Sequence, residues 1–254
     1  MSRRMVVGFI AGVAFAIGVA LVSRVVPPGS DLAAAGNCQG LPSQGALKAF
    51  LNQAPGHGGD SGGLFHGSRM WAAVVNRSGE LCSYATSTND PTQVWPGSQA
   101  IAKAKAYTAN AFSLDSLALS TAQLYTFTQP GHSLWSLGQS NLFNTAFLAT
   151  PTGQGGGTNQ ITGGLIFFGG GVALYNPAGT IVGGLGISGD TSCTDHEIAK
   201  RVRDIASLNP TGGATADDIS YSSVDGASVF THPLCLNTWR NGVFIGNEAP
   251  ASGY

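Results

Sequence analysis

The sequence predicts an α/β (α+β) fold in which an antiparallel sheet is flanked by helices. Runs with helical and strand spacing follow one another in the order α, ββ, αα, βββ, α. The loops between successive strand-like runs are short, and short connections join antiparallel neighbours. The composition agrees with a folded chain, because 37 of the 254 residues are glycine and only 10% are charged.

The N-terminus, residues 1–35, predicts an export signal or a membrane anchor and is left out of the fold. Arg3 and Arg4 precede an apolar run of 18 residues, Met5–Val22, and a small-residue cleavage signal lies at Ala33-Ala34-Ala35. A run of this length also just spans a bilayer, so a cleaved signal peptide and a retained anchor both remain open. We therefore expect a periplasmic or secreted protein, which is anchored to the membrane if the segment is retained.

The first elements after the N-terminus are a short helix and a β-hairpin. Leu47, Phe50 and Leu51 have helical spacing within residues 40–54. Two strand-like runs follow and predict a hairpin, because Gly79 in the turn between them can take a positive φ. The two runs are Met70–Asn76 and Glu80–Thr86.

Two helices and a loop make up the middle of the predicted fold. Ser98 can cap a helix that runs to Phe112 with its apolar residues on one face. The range Leu114–Tyr125 again shows helical spacing and ends before the turn Gln129-Pro130-Gly131. Residues 150–164 are polar and rich in glycine, which predicts a long surface loop.

Three strands and a helix form the last predicted unit. The pattern T-x-x-E at Thr194 and Glu197 forms a capping box for a helix that reaches about Leu208. Residues 209–254 are rich in loops and form a C-terminal extension. The three predicted strands are Leu165–Phe168, Val172–Tyr175 and Thr180–Ile187.

Four segments of the chain resemble the GlcG/HbpS-type haem-binding family, which also occurs as the C-terminal domain of some corrinoid adenosyltransferases. They are GVALYNPAGTIVGGLGISGDTSCTDHEIA at Gly171–Ala199, WPGSQAIAKAKAYTANAF at Trp95–Phe112, SLALSTAQLYTFTQPGHSL at Ser116–Leu134 and THPLC at Thr231–Cys235. The resemblance covers roughly residues 68–240. It implies a five-stranded antiparallel sheet flanked by helices, with a GlcG/HbpS-like domain at residues 36–208 and an extension tied to it at 209–254.

The four cysteines of the exported chain predict two disulfides. Their number alone allows three pairings. Cys193 and Cys235 lie in two of the family-like segments, GDTSC and HPLC, so the resemblance favours a bond between them. That choice leaves Cys38 and Cys82 for the second bond.

The resemblance also implies a haem site, for which His196 and His132 are candidate ligands. His196 follows Asp195 at the start of the last helix, where the positive helix end keeps an imidazole neutral and able to bind haem iron or another metal. The alternative for this pair is a structural role as helix caps. His132 lies on a turn with Trp135 nearby as a stacking surface, and its alternative is an ordinary loop histidine.

A lysine of the long helix is a candidate partner for a haem propionate. Lys103 and Lys105 point to different faces of that helix, so one of them should face the glycine-rich loops. We assign Lys105 to this role; the alternative is that both lysines are solvated. His57 and His66 flank a glycine loop before the first strand, but the local motif does not align residue by residue, so neither inherits a ligand role from the family.

The sequence thus leaves three functions open. The first is an exported haem-binding protein, either a carrier or a redox sensor. The second is a non-catalytic structural or assembly subunit of an extracytoplasmic or membrane-attached complex, formed as a homo-oligomer or with a membrane-associated partner. The third is a small-molecule enzyme that uses Asp195 and His196 for acid–base chemistry. A net charge of -1 and the lack of a basic run with interleaved aromatics exclude a nucleic-acid partner.

Overall fold

The computed structural model describes residues 38–149 and 160–250, and over these ranges it confirms the predicted α+β class. Its main sheet is antiparallel and has four strands in the order β2-β1-β4-β3, while β5 and β6 form a separate two-stranded sheet. The strands are β1 Trp71–Asn76, β2 Leu81–Thr86, β3 Gly171–Tyr175, β4 Ile181–Ser188, β5 Thr238–Arg240 and β6 Val243–Gly246. The helices are α1 Gln44–Gln53, α2 Ser98–Phe112, α3 Leu137–Ser140, α4 Ser192–Ile205 and α5 Ser222–Asp225.

Part of the sequence-based prediction concerns residues outside these ranges. The export signal or anchor at residues 1–35 lies outside the described residues, as does most of the loop predicted at 150–164. Among the residues that the structure describes, no helix is both long enough and apolar enough to span a membrane.

Helices cover both faces of the main sheet. Residues alternate between the faces along each strand, so that Ala72 and Val74 of β1 pack with α1 and α4, whereas Trp71 and Val75 pack on the side of α2. The burial of Leu47 and Leu51 explains the helical spacing in α1. The sheet therefore lies between two apolar layers, and α2 and α4 approach its inner strand β4 from opposite sides.

Glycines in β4 allow α2 to pack directly on the backbone of the sheet. A Cβ atom at Gly184 would collide with the carbonyl oxygen of Ala106, and one at Gly186 with that of Ala102. The run GGLG in this strand is therefore a packing surface for a helix, consistent with the use of strand glycines where another backbone comes close.

One predicted helix and one predicted strand are absent, because side chains bind the backbone groups that these elements would need. At Leu114–Tyr125 the Ser113 hydroxyl binds both the amide and the carbonyl of Leu119, which favours turns over a helix. At Leu165–Phe168 the amide of Ile166 donates to Thr108 Oγ1, so this segment lacks a strand partner. The main sheet consequently has four strands instead of the five predicted.

The start of α4 also differs from the predicted capping box. Thr191 is the N-cap, and its hydroxyl accepts a hydrogen bond from the amide of Thr194. Glu197 lies within the helix, and its carboxylate pairs with Lys200 and Arg201 instead of binding a backbone amide at the N-cap. The helix thus begins before Thr194 and ends at Ile205.

Two disulfides and a loop contact hold the ends of the described chain to the rest of the fold. Cys38 is bonded to Cys82 of β2, and Cys193 in the first turn of α4 is bonded to Cys235. These are the pairs that the resemblance favoured. Asn237, two residues beyond the second bond, accepts a hydrogen bond from the amide of Gly63. The C-terminal segment is therefore attached both to α4 and to the loop before β1.

Candidate functional site

Asp195 and Lys105 form an ion pair in the core. Lys105 Nζ lies 2.8 Å from Asp195 Oδ2, and the two side chains are 0% and 2% exposed. The same ammonium donates to the carbonyl of Ile187, and Asp195 Oδ1 accepts from the amide of Asp190. Burial raises the pKa of Asp195 to about 6 although Lys105 opposes this effect, and burial likewise lowers the pKa of Lys105. The pair therefore joins α2, β4 and α4 inside the protein.

This enclosure does not support Lys105 as the partner of a haem propionate. A propionate would have to reach an ammonium that has no exposed surface and already has a carboxylate and a carbonyl as partners. The alternative of two solvated lysines does not hold either, because Lys103 is buried as well. Its ammonium donates to the carbonyl of Phe147 and lies 4.1 Å from the centre of the Tyr84 ring.

His196 is also completely buried. Its Nε2 lies 3.5 Å from Asp218 Oδ1, and neither ring nitrogen has a hydrogen-bond partner among the described residues. Burial acts to raise the pKa of Asp218, but His196 and Lys200 hold it well below its usual value. The structure therefore does not support His196 as a haem or metal ligand: it is enclosed beside an ion pair and does not belong to a group of three metal-binding side chains in the described ranges.

His132 is exposed, as a loop histidine should be. It lies in a series of turns in which its amide donates to the carbonyl of Gln129 and its carbonyl accepts from the amide of Trp135. The Trp135 side chain is half exposed, so this turn offers both an imidazole and an indole to solvent.

A second exposed histidine, His66, is oriented by a carboxylate. His66 Nδ1 lies 2.8 Å from Asp60 Oδ1, and this hydrogen bond raises the pKa of His66 and lowers that of Asp60. The imidazole is 60% exposed, and Nε2 takes no part in the contact. Asp190 fixes the same loop, because its carboxylate accepts from the amides of Leu64 and Phe65.

An aromatic groove is lined by Phe65, the residue that precedes His66 in the chain. The groove has a volume of about 160 Å³, and Phe65, Arg69, Val94 and Trp95 are among the residues that line it. The rings of Phe65 and Trp95 meet edge to face at 5.6 Å, and the Arg69 guanidinium lies 4.9 Å from the centre of the Phe65 ring. We call these four residues the Phe65–Trp95 groove. It combines apolar faces with an exposed cation.

His57 lies at a different kind of cavity. This cavity of about 190 Å³ contains no aromatic ring apart from the imidazole and is lined largely by charged residues, among them Glu197, Lys200 and Asp204. His57 Nε2 lies 3.1 Å from Asp204 Oδ2. The charge of Lys200 is already paired, since its ammonium contacts the carboxylates of both Glu197 and Asp218.

His232 lies next to the disulfide at the start of α4. Its Nδ1 lies 2.7 Å from the carbonyl oxygen of Pro233, and its Nε2 accepts from the amide of Gly169. Burial lowers the pKa of this imidazole to about 4, so it is neutral at physiological pH. A cavity of about 350 Å³ is lined by His232, Cys235, Tyr125 and their neighbours.

Sequence reasoning missed the pairing of Asp60 with His66 and the groove beside them. The loop that carries both contains Gly62, Gly63 and Gly67 with positive φ, and His66 itself has φ +50°. A sequence offers no periodic pattern for such a loop. The signals present were a carboxylate six residues before a histidine and an aromatic residue next to it.

The fold and these features define an α+β domain whose inner strand β4 is packed through glycine against a helix and whose exposed histidines lie in loops around the sheet. A family model described as haem degrading protein HbpS-like matches residues 64–204. The chain therefore belongs to the HbpS-like family, which confirms the resemblance found in the sequence.

Solved structures show partial similarity to the chain. The crystal structure of the PduOC–haem complex has a TM-score of 0.44 and 23% identity, over 64% of this chain and 89% of that one. The Klebsiella pneumoniae protein ORFY has a TM-score of 0.44 and 20% identity, over 65% and 90% of the two chains. The crystal structure of HbpS has a TM-score of 0.40 and 19% identity, over 65% and 89%. Comparison with curated proteins gave no significant match.

Proposed function

We propose that the protein is an exported haem-binding protein that uses His66 as its iron ligand. The observation that carries this proposal is the exposed, carboxylate-bound imidazole of His66, whose neighbour in the chain Phe65 lines an aromatic groove, within a region that matches a haem-degrading family. The two disulfides support export, because such bonds persist in oxidising compartments. A carrier and a redox sensor are both compatible with a ligand held at the surface.

The imidazole of His66 meets the requirements of an iron ligand. A metal-binding histidine usually donates its second ring N–H to a carboxylate or carbonyl, which fixes the ring and its tautomer. Asp60 can accept that hydrogen bond from Nδ1, which leaves Nε2 as the donor atom toward iron. The amides of Leu64 and Phe65 are held by Asp190, so the backbone before the ligand is fixed as well.

The Phe65–Trp95 groove offers two kinds of surface that a haem contacts. A porphyrin presents two apolar faces and two propionates. Phe65 and Trp95 offer apolar surface, and the Arg69 guanidinium can pair with a propionate. When bound, haem would bring redox chemistry at its iron. The residues of this chain would hold, orient and partly cover the haem.

The remaining histidines fit this role less well. His196 and His232 are buried and enclosed, and His57 lies at a cavity lined with paired charges. His132 is exposed, but among the described residues no carboxylate and no cation contacts its side chain. An enzyme built on Asp195 and His196 is not favoured, because substrate could reach neither side chain.

Titration of the purified protein with ferric haem, followed through the Soret band, tests the proposal. His66→Ala should weaken binding at least about tenfold, which corresponds to about 1.4 kcal/mol. His57→Ala is the matched control, since His57 is also exposed and bound to a carboxylate, and His132→Ala tests the candidate from the sequence. The absence of any spectral change in the unmodified protein contradicts haem binding. Loss of binding only in His132→Ala contradicts the assignment to His66.

A further inference from the structure

The disulfide in the first turn of α4 lies within a set of three potential metal ligands. The Sγ atoms of Cys193 and Cys235 and a ring nitrogen of His232 all lie within 4.8 Å of one another. Two thiolates and one imidazole are a donor set that zinc prefers, with Zn–S near 2.3 Å and Zn–N near 2.0–2.1 Å. At those bond lengths neighbouring ligand atoms on a tetrahedral ion lie roughly 3.5–3.8 Å apart. The two sulfur atoms, 2.02 Å apart in the disulfide, must therefore separate by roughly 1.7 Å once the bond is opened, while the imidazole nitrogen already lies within 4.8 Å of both.

The second ring nitrogen of His232 already has the partner that a metal-binding histidine needs. Nδ1 lies 2.7 Å from the carbonyl oxygen of Pro233, to which it can donate. This hydrogen bond selects the tautomer in which Nε2 carries the lone pair. At Nε2 the contacts are long, at 3.3 Å from the amide of Gly169 and 3.4 Å from Ser192 Oγ, so a metal could replace them at little cost.

The surroundings of Cys235 Sγ favour a thiolate once the disulfide is opened. Cys235 Sγ accepts from the amide of Cys193 at 3.2 Å and from the hydroxyl of Ser192 at 3.3 Å. Both donors lie in the first turn of α4, where the helix dipole stabilises negative charge. A metal would then find one sulfur ligand, Cys235 Sγ, that is already hydrogen-bonded by the backbone and a neighbouring side chain, whereas Cys193 Sγ lies 3.7 Å from the carbonyl oxygen of Pro233.

Solvent reaches this group through the cavity of about 350 Å³. His232, Cys235 and Glu248 line the cavity, so a fourth ligand can come from water or from the Glu248 carboxylate. The other disulfide, Cys38–Cys82, has no such neighbourhood: among the described residues, Cys193, His232 and Cys235 form the one group of this kind.

We propose that reduction of the Cys193–Cys235 disulfide turns these residues, together with His232, into a zinc site. A dithiol reductant transfers two electrons and two protons to the disulfide and is itself oxidised to a disulfide. The two thiols formed then release their protons when Zn²⁺ binds, so the site exists only in the reduced protein. In the oxidised protein the same residues form a covalent link between α4 and the C-terminal segment. The site is separate from the Phe65–Trp95 groove and does not depend on haem binding.

The test compares zinc binding before and after reduction. The purified protein is reduced with dithiothreitol, freed of reductant under anaerobic conditions, and titrated with Zn²⁺ against a chromogenic chelator. We expect one zinc per reduced chain and at least about 100-fold weaker binding to the oxidised chain. Titration with Co²⁺ should give the absorption of a tetrahedral site with thiolate ligands. His232→Ala should weaken binding about 10- to 100-fold, whereas the double variant C38S/C82S should bind like the unmodified chain.

Circular dichroism recorded during the titration covers the case in which reduction unfolds the protein. A reduced chain that unfolds without metal and refolds with one equivalent of Zn²⁺ supports the site, because metal binding and folding are then coupled. A reduced chain that stays unfolded with zinc overturns the proposal. Equal zinc binding by oxidised and reduced protein, or by His232→Ala and the unmodified chain, overturns it as well.

Discussion

The buried ion pair between Lys105 and Asp195 leads to a sharp prediction for the variant Lys105→Met. Methionine fills most of the space of the lysine side chain but leaves the Asp195 carboxylate buried, with the amide of Asp190 as its remaining partner among the contacts described. Removal of one member of a buried ion pair costs about 3–5 kcal/mol, because the other charge is left uncompensated. We expect a loss of this size in the free energy of unfolding at pH 7.5.

The loss should depend on pH in a defined direction. In the folded protein the pKa of Asp195 is about 6, above its ordinary value of 3.8, and Lys105 acts to lower it. Without Lys105 this pKa should rise further. A raised carboxyl pKa means that the folded state binds the proton more tightly than the unfolded state does. The stabilisation by this proton is therefore full below pH 3.8, and it is lost as pH rises through the pKa of the folded state. The variant should therefore be less destabilised at pH 5 than at pH 7.5.

Urea unfolding at these two pH values measures the effect, and the double variant K105M/D195L supplies the control. Replacement of both charges by apolar side chains removes the uncompensated carboxylate, so the double variant should be more stable than Lys105→Met alone. Two results would refute the reasoning. One is a loss in Lys105→Met that is the same at both pH values, and the other is a double variant at least as unstable as the single one.

Three further predictions concern the sheet, the helix cap and the His66 loop. Gly186→Ala should lower stability by roughly 1–3 kcal/mol or more in thermal melts, because the new Cβ meets the backbone of α2, whereas Gly45→Ala in open space should have a small effect and serves as its control. Thr191→Ala should cost about 1 kcal/mol in urea unfolding through loss of the cap of α4; a change near zero would contradict the capping role. Asp60→Asn should lower the pKa of His66 in an NMR titration, and an unchanged pKa would show that the two side chains do not interact in solution.

The parts of the fold that the sequence predicts are those with a strong local pattern. The hairpin of β1 and β2 combines two apolar strands with a glycine turn, and α2 and α4 have clear helical spacing. The failures at Leu114–Tyr125 and Leu165–Phe168 share one cause. In both segments a side-chain hydroxyl, from Ser113 or Thr108, binds backbone groups, and periodicity contains no information about such contacts.

The candidate site was less predictable for two physical reasons. Lysines in a helix are expected at its solvated face, but α2 is enclosed to the extent that both Lys103 and Lys105 are buried with backbone or carboxylate partners. In contrast, Asp60 and His66 meet through a glycine-rich loop whose positive φ values bring distant atoms together. Tertiary burial determines the environment of the two lysines, and loop geometry brings Asp60 and His66 together. Neither effect follows from the spacing of residues along the chain.

The contact between Asn237 and Gly63 makes the C-terminal segment part of the support of the loop before β1. The Asn237 carbonyl accepts from the amide of Gly63, and its side-chain amide donates to the carbonyl of Gly63. Residue 237 lies outside the range 64–204 that the family model matches. A change in the C-terminal segment can therefore displace Asp60 and His66 while the main sheet keeps its structure.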